Sequence, residues 1–170
     1  MALDTGMKMI KTEKVTVENA AKTLGSGSLL VYGTPAMLLL VEKTAVALLD
    51  GHLDEGMTTV GTNLNVDHVS ASPIGCEVSC EVTLTEIDRK KLTFAVEVKD
   101  PAGVIGKGTH ERFIVDAEKF QEVAASLASS FSVLPAGGSA ITDEGILVGS
   151  GASQLTELST YYNRGADAPE

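Results

Sequence analysis

The stretch that decides the fold is residues 34–49, TPAMLLLVEKTAVALL, which is typical of one long apolar helix. Pro35 suits the first helical position, and Thr34 before it suits the N-cap. The segment is apolar almost all round, as buried helices are, and it falls short of the roughly 20 residues that cross a bilayer. Glu42 is the exception. It is expected either to reach solvent beside Lys43 or to be held for a chemical purpose.

Four alternating segments follow the helix, and short turns join them. Their predicted ranges are 58–70, 77–84, 92–98 and 104–115, with an earlier strand at 11–17 and a terminal helix at 116–127. Short turns imply antiparallel pairing between neighbours. An antiparallel sheet wrapped around one apolar helix is an α+β arrangement that buries the helix completely. This is the layout of a hotdog fold.

The last 41 residues differ in character from the rest. Residues 130–170 are rich in Gly, Ser and Ala, and their apolar periodicity is weak. From Leu127 onward there are five acidic residues and one arginine, so this part carries −4 of the net charge of −10. We expect one domain over residues 1–129 and a mobile acidic tail over residues 130–170.

Charge and cysteine usage narrow the class of protein. A net charge of −10 argues against binding to nucleic acid or to an anionic membrane surface. Cys76 and Cys80 lie roughly 13 Å apart if their segment is a strand, whereas a disulfide needs Cα atoms within roughly 7 Å. Free thiols suit a reducing cytoplasm, and two cysteines without a companion histidine make a poor metal site. With no apolar signal segment at the start, we expect a cytoplasmic protein.

Four residues are candidates for chemistry. His68 follows the apolar phase of its strand, so it is either a core residue or a base that meets a partner. Thr34 either caps the helix or places a hydroxyl at the positive end of the helix dipole. Glu42 lies eight residues later, roughly 12 Å along a helix, so if the two act together, either the helix starts later or a second subunit completes the site. Gly61 inside a strand marks a bulge or a close approach, and its N–H could bind an oxyanion.

Several of these residues also carry a resemblance to a known family. The matching features are GTHER at 108–112, EKF at 118–120, the pair Thr34 and Glu42, and the pair Gly61 and His68. On these features the chain resembles hotdog-fold thioesterases of the fluoroacetyl-CoA thioesterase family, over roughly residues 10–125. Residues 130–170 take no part in the resemblance.

The resemblance implies hydrolysis of an acyl-CoA thioester by a homodimer, without a metal or redox cofactor; coenzyme A is part of the substrate. Carried over by position, Thr34, Glu42 and His68 form the catalytic group, and the N–H of Gly61 helps to hold the oxyanion. Thr34 or Glu42 makes or supports the attack on the carbonyl, and His68 acts as a general acid and base. Arg112 matches a family arginine near the site and is assigned a supporting electrostatic role.

One departure bears on the substrate. Ser28 stands where the fluoroacetyl-specific enzyme has a phenylalanine that forms a lid, so a short or medium acyl-CoA is the expected substrate class. Basic residues at 89–91 and Lys107 are candidates for the coenzyme A phosphates, although an ordinary solvated turn also explains 89–91. The alternatives are a hotdog hydratase or dehydratase and a non-catalytic acyl-CoA binding or sensing module. Thiol release separates all three.

Overall fold

A computed structural model describes residues 2–131 of the chain. The elements in order are β1 (Lys8–Lys14), α1 (Ala21–Leu24), α2 (Thr34–Leu49), β2 (Met57–His68), β3 (Glu77–Asp88), β4 (Lys91–Asp100), β5 (Gly103–Asp116) and α3 (Ala117–Phe131). Five strands form one sheet in the order β1-β3-β4-β5-β2. Strand β3 pairs antiparallel with β1 and β4, and β4 pairs antiparallel with β5. The predicted α+β architecture is confirmed.

The chain falls into two compact units. The first comprises the described residues up to Glu55 together with Thr59–Ile114. It holds α2, most of the sheet and every residue that the sequence singled out for chemistry. The second comprises Gly56–Thr58 and the described residues from Val115 onward, including α3. The predicted tail lies outside the described residues apart from its first two positions, which belong to α3.

The core of the first unit forms where α2 packs against the sheet. Alternate residues of the sheet point to the helix and are buried, as their period of two predicted: Val78, Cys80, Val82 and Leu84 on β3, and Leu92, Phe94, Val96 and Val98 on β4. The prediction that the helix is buried completely is wrong for a single chain. Leu39 is 52% exposed and Val46 is 49% exposed, because the sheet covers only one side of α2.

The start of α2 differs from the prediction at one residue. Gly33, with an extended backbone, occupies the N-cap position, and Thr34 is the first helical residue. No side chain caps this helix end. The Gly33 N–H donates to the Asn19 carbonyl oxygen at 3.0 Å, which fixes the entry to the helix. The Thr34 hydroxyl is therefore not used as a cap. At the other end Gly51 adopts a left-handed φ of 73°, a conformation that glycine commonly supplies after a helix.

Strand β1 begins three residues earlier than predicted. Residues 8–10 lie outside the predicted strand at 11–17, but Lys8 pairs with Thr83 and Lys14 pairs with Glu77 on β3. Pairing along β3 decides these boundaries, and the alternation of β1 alone does not show where that partner ends. The terminal helix was placed correctly to within a few residues, and it runs to Phe131.

Two further findings bear on the expected class of protein. No helix in the described part of the chain is long and apolar enough to cross a membrane. Cys76 and Cys80 are both free, and burial raises the pKa of the Cys80 thiol to about 11. Cys80 is therefore a buried, protonated core residue at neutral pH.

Candidate active site

The first cluster lies at the N-terminal end of α2. The Thr34 hydroxyl is 2.8 Å from Nδ1 of His68, which is the last residue of β2. This distance is typical of a nucleophile beside its general base. The hydroxyl donates when the imidazole proton is on Nε2. Burial lowers the pKa of His68, so the imidazole stays neutral, as a base must.

A cavity opens beside this pair. Its volume is about 280 Å³. Small and apolar residues line it together with the pair, among them Ala21, Ser26, Val31, Val69 and Ala71. Tyr32 also lines the cavity, and its ring meets the His68 ring edge-on with centroids 6.4 Å apart. The Tyr32 hydroxyl donates to the Glu13 carboxylate, and this hydrogen bond fixes the orientation of the tyrosine side chain.

The second cluster lies in the middle of α2, around Glu42. Oε2 of Glu42 accepts a hydrogen bond from Nη1 of Arg112 at 2.9 Å. Arg112 is only 5% exposed, whereas the Glu42 side chain remains 37% exposed. The carboxylate of Glu42 thus reaches the surface, as the first expectation has it. A buried cation also holds it in place, as the second expectation has it. A cavity of about 240 Å³ adjoins Glu42.

Two hydrogen bonds to Thr59 of β2 hold the Arg112 guanidinium in place. Its Nε donates to the Thr59 hydroxyl at 2.9 Å, and its Nη2 donates to the Thr59 carbonyl oxygen at 3.0 Å. Its strand neighbour Glu111 forms an ion pair with Lys91 at 3.3 Å on the outer side of the sheet. Arg112 therefore points inward from β5 and is paired there, so the polar GTHER run is not a wholly exposed strand face.

Gly61 lies against the Glu42 carboxylate. A Cβ at this position would be 2.5 Å from Oε2 of Glu42 and 3.4 Å from Nη1 of Arg112. The group that approaches this glycine closely is the Glu42 carboxylate. The predicted role of the Gly61 N–H toward an oxyanion stays a prediction. Gly108 serves a different purpose on β5, since a Cβ there would be 2.0 Å from the Asn65 carbonyl oxygen on β2. Both glycines allow polar and backbone groups to meet where a side chain would separate them.

His110 belongs to the second cluster, although the sequence did not single it out. It is fully buried, with Nδ1 2.7 Å from the Asn63 carbonyl oxygen and Nε2 3.3 Å from Nη1 of Arg112. Its position could have been inferred from period two: Gly106, Gly108, His110 and Arg112 share one face of β5. Two glycines on a face indicate that another backbone packs there, so its polar residues are buried.

The described chain therefore brings the predicted catalytic residues together in two groups. Thr34 and His68 share one cavity, while Glu42 and Gly61 adjoin the other and Arg112 is paired with Glu42. This separation agrees with the helical distance expected between Thr34 and Glu42.

The remaining candidates lie at the surface. Ser28 is exposed, in an irregular segment before Leu29 and Leu30, which are 66% and 50% exposed. Arg89 forms an ion pair with Asp88 at 3.3 Å, and Lys107 is exposed on β5.

Comparison with known proteins gives a consistent result. A family model described as "fluoroacetyl-CoA-specific thioesterase" matches residues 15–118. The fluoroacetyl-CoA thioesterase of Streptantibioticus cattleyicolor is 33% identical over 90 residues, which is 53% of this chain. The aligned region spans 65% of that relative's length.

Solved structures show the same architecture. A mutant of the fluoroacetyl-CoA thioesterase FlK in complex with fluoroacetate has a TM-score of 0.69 at 25% identity, covering 73% of this chain and 98% of that one. A second FlK mutant, with fluoroacetate and CoA, has a TM-score of 0.66 at 27% identity, covering 69% and 99%. A hot-dog-like protein from Thermanaerovibrio acidaminovorans has a TM-score of 0.68 at 25% identity, covering 73% and 92%. The predicted hotdog fold is confirmed.

Proposed function

The chain belongs to the fluoroacetyl-CoA-specific thioesterase family, and on this premise we propose that it hydrolyses a short or medium acyl-CoA to the free acid and coenzyme A. The observation that carries the proposal is the 2.8 Å contact between the Thr34 hydroxyl and His68 beside an open cavity. A hydroxyl with a neutral imidazole at this distance can be activated for attack on a thioester carbonyl.

The proposed reaction has two steps. His68 takes the hydroxyl proton as Thr34 Oγ bonds to the carbonyl carbon, and the carbon–sulfur bond then breaks. The proton passes from His68 to the departing sulfur, which is a good leaving group. Water, activated by the same imidazole, next cleaves the acyl–threonine ester and releases the acid. Thr34 is favoured over Glu42 as the nucleophile because the Glu42 carboxylate is already paired with Arg112.

We further propose that the complete site forms between two copies of the chain. In the described chain Thr34 with His68 and Glu42 with Gly61 border different cavities. A two-fold axis that aligns two β2 strands antiparallel would bring the start of α2 in one protomer toward the middle of α2 in the other. Each of the two sites would then contain Thr34 and His68 from one protomer and Glu42, Gly61 and Arg112 from its partner.

Two features of the surface support this homodimer. Strand β2 lies at the edge of the sheet and is twelve residues long, and such edges commonly pair with another strand. Leu39 and Val46 leave an apolar part of α2 half exposed in the single chain, as expected of a face that a partner covers. The Gly61 N–H would help to bind the oxyanion, and Arg112 would stabilise negative charge through Glu42.

We also propose that the reaction needs no bound cofactor, that the chain has two parts, and that the protein acts in the cytoplasm. Hydrolysis by these side chains calls for no metal or redox cofactor, with coenzyme A entering only as part of the substrate. Residues 1–129 would form the catalytic domain and residues 130–170 a separate acidic tail. Free thiols at Cys76 and Cys80 suit the cytoplasm.

The test is thiol release from acetyl-, fluoroacetyl-, short branched, medium-chain and aromatic CoA thioesters. We expect release from at least one short or medium substrate, lost in Glu42→Gln while the melting temperature changes little. Glutamine keeps the size of the side chain and removes its charge, so it separates chemistry from packing. Binding of every substrate without thiol release would contradict the thioesterase proposal and indicate a sensor. Conversion of an unsaturated acyl group without thiol release would indicate a hydratase.

A further inference from the structure

We propose that His110 is a positioning residue for this site: a buried neutral imidazole that fixes the Arg112 guanidinium and, through it, the Glu42 carboxylate. The kinetic consequences rest on the proposed thioesterase function, but the structural claim does not. His110 contacts no reacting group in the proposed reaction, so it would act only through Arg112.

The contacts of His110 determine its tautomer. Nδ1 is 2.7 Å from the Asn63 carbonyl oxygen, and a carbonyl can only accept, so Nδ1 carries the proton. Nε2 then has a free lone pair. This lone pair faces Nη1 of Arg112 at 3.3 Å, and Nη1 donates to it. The backbone of β2 thereby sets the direction in which His110 accepts.

The surroundings keep His110 neutral. It is fully buried, and its ring stacks on Phe94 with centroids 6.0 Å apart and an angle of 27° between the planes. Burial is the largest effect and lowers the pKa of His110; the Asn63 hydrogen bond opposes it, the Arg112 charge lowers the pKa further, and Glu42 and Glu111 raise it least. A protonated imidazole would lose its acceptor and place a second cation beside the guanidinium.

Arg112 depends on this acceptor because its Nη1 has two protons and two partners. One proton goes to Oε2 of Glu42 at 2.9 Å and the other to His110, while Thr59 accepts hydrogen bonds from Nε and from one N–H of Nη2. Loss of the His110 acceptor would leave a buried N–H of a cation unsatisfied. The guanidinium would then rotate to share that N–H with Glu42, and the carboxylate would move from its place beside Gly61.

Two substitutions test the roles of the two ring nitrogens of His110 separately. The amide nitrogen of His110→Asn replaces the Nδ1 donor but leaves no acceptor for Arg112. The amide oxygen of His110→Gln lies near the Nε2 position and restores that acceptor. We expect kcat to fall about tenfold in His110→Asn with KM nearly unchanged, a loss typical of outer groups that orient a reactive side chain. We expect His110→Gln to stay within about twofold of the parent, as a restored acceptor implies.

A readout that does not need activity completes the test. In spectra of ¹⁵N-arginine-labelled protein, a fixed guanidinium gives separate, slowly exchanging Nη1 and Nη2 signals. We expect separate Arg112 signals in the parent and in His110→Gln, and merged or broadened signals in His110→Asn. Merged signals in His110→Gln, or separate signals and parental kcat in His110→Asn, would overturn the proposal. If the parent releases no thiol, the thioesterase assignment fails, and the arginine signals alone decide the role of His110.

Discussion

The two clusters along α2 are built in opposite ways. Thr34 is exposed, and one hydrogen bond to His68 is the contact that aligns its hydroxyl beside an open cavity. Glu42, eight residues along the same helix, meets a buried arginine that three further contacts to Thr59 and His110 help to hold. The difference indicates a division of labour. A hydroxyl held by one hydrogen bond is free to react, whereas a carboxylate fixed by several groups supplies a constant electrostatic field.

The largest expected effect is on turnover at the lightly held cluster. Thr34→Ala removes the hydroxyl that His68 activates, so we expect kcat to fall by about 10²–10⁴-fold, the range typical of losing a positioned proton-transfer pair. Because Thr34 is exposed and does not cap the helix, we expect the free energy of unfolding to change by less than about 0.5 kcal/mol. Thiol release and thermal melting measure the two quantities. Thr34→Ser should keep measurable activity, and an inactive serine variant would argue against a nucleophilic hydroxyl.

The largest expected effect on stability is at the fixed cluster. Arg112→Leu breaks a buried pair and leaves His110 and the Thr59 carbonyl without their donor. We expect the free energy of unfolding to fall by about 3 kcal/mol, at the lower end for a broken buried pair because Glu42 can still be hydrated. Denaturant titration measures it. The matched control is Lys91→Leu, whose ion pair is only partly buried, with an expected loss below about 1 kcal/mol. Equal losses in the two variants would refute the description of Arg112 as a buried anchor.

Gly61→Ala offers a way to disturb the fixed cluster without removing any of its groups. The new Cβ would overlap Oε2 of Glu42, and the carboxylate end of a flexible side chain can move away at small cost. We therefore expect kcat to fall roughly tenfold through displaced geometry, while stability changes by less than about 1 kcal/mol. Gly27→Ala is the control, since its Cβ would make ordinary contact with Ala21. Parental kcat in Gly61→Ala would show that the carboxylate position is unimportant.

The smallest expected effect is the position of the acid limb of the pH profile. Burial lowers the pKa of His68 below its ordinary value of 6.5. The base is active when neutral, so kcat/KM should be flat above that pKa and fall as pH decreases through it, with a midpoint below 6.5. The His110→Gln variant should keep the same midpoint. A midpoint above 6.5 would mean that His68 is not the base or that a partner raises its pKa.

Much of the fold followed from periodicity. The predicted helix at 34–49 is observed with its start shifted by one residue, and the apolar faces of β3 and β4 are buried as their alternation predicts. The sequence of each of these elements is enough to predict it, because regularly spaced apolar residues form one face that must be buried. Strand β1 was displaced by three residues because its pairing with β3 sets its ends.

The candidate site was harder to predict for a physical reason. Thr34, Glu42, Gly61 and His68 were recognisable, but their pairing depends on how α2, β2 and β5 lie together. Arg112 and His110 were missed as buried groups because a polar residue in a strand usually faces solvent. Here each one is buried only because the other, with Thr59 and Asn63, satisfies it. Hydrogen bonds that depend on how separate strands pack cannot be predicted from one segment of the sequence.

The central claim is that one thioesterase site takes Thr34 from one protomer and Glu42 from its partner, and mixing two inactive variants tests it directly. Thr34→Ala and Glu42→Gln proteins are unfolded together, refolded as a mixture and assayed for thiol release. In a mixed dimer of the proposed kind, one site contains both intact residues and the other contains neither. We expect recovery of about a quarter of the parental rate, since half of the dimers are mixed and each has one working site. A mixture that refolds and dimerises but stays as inactive as its components would contradict the claim.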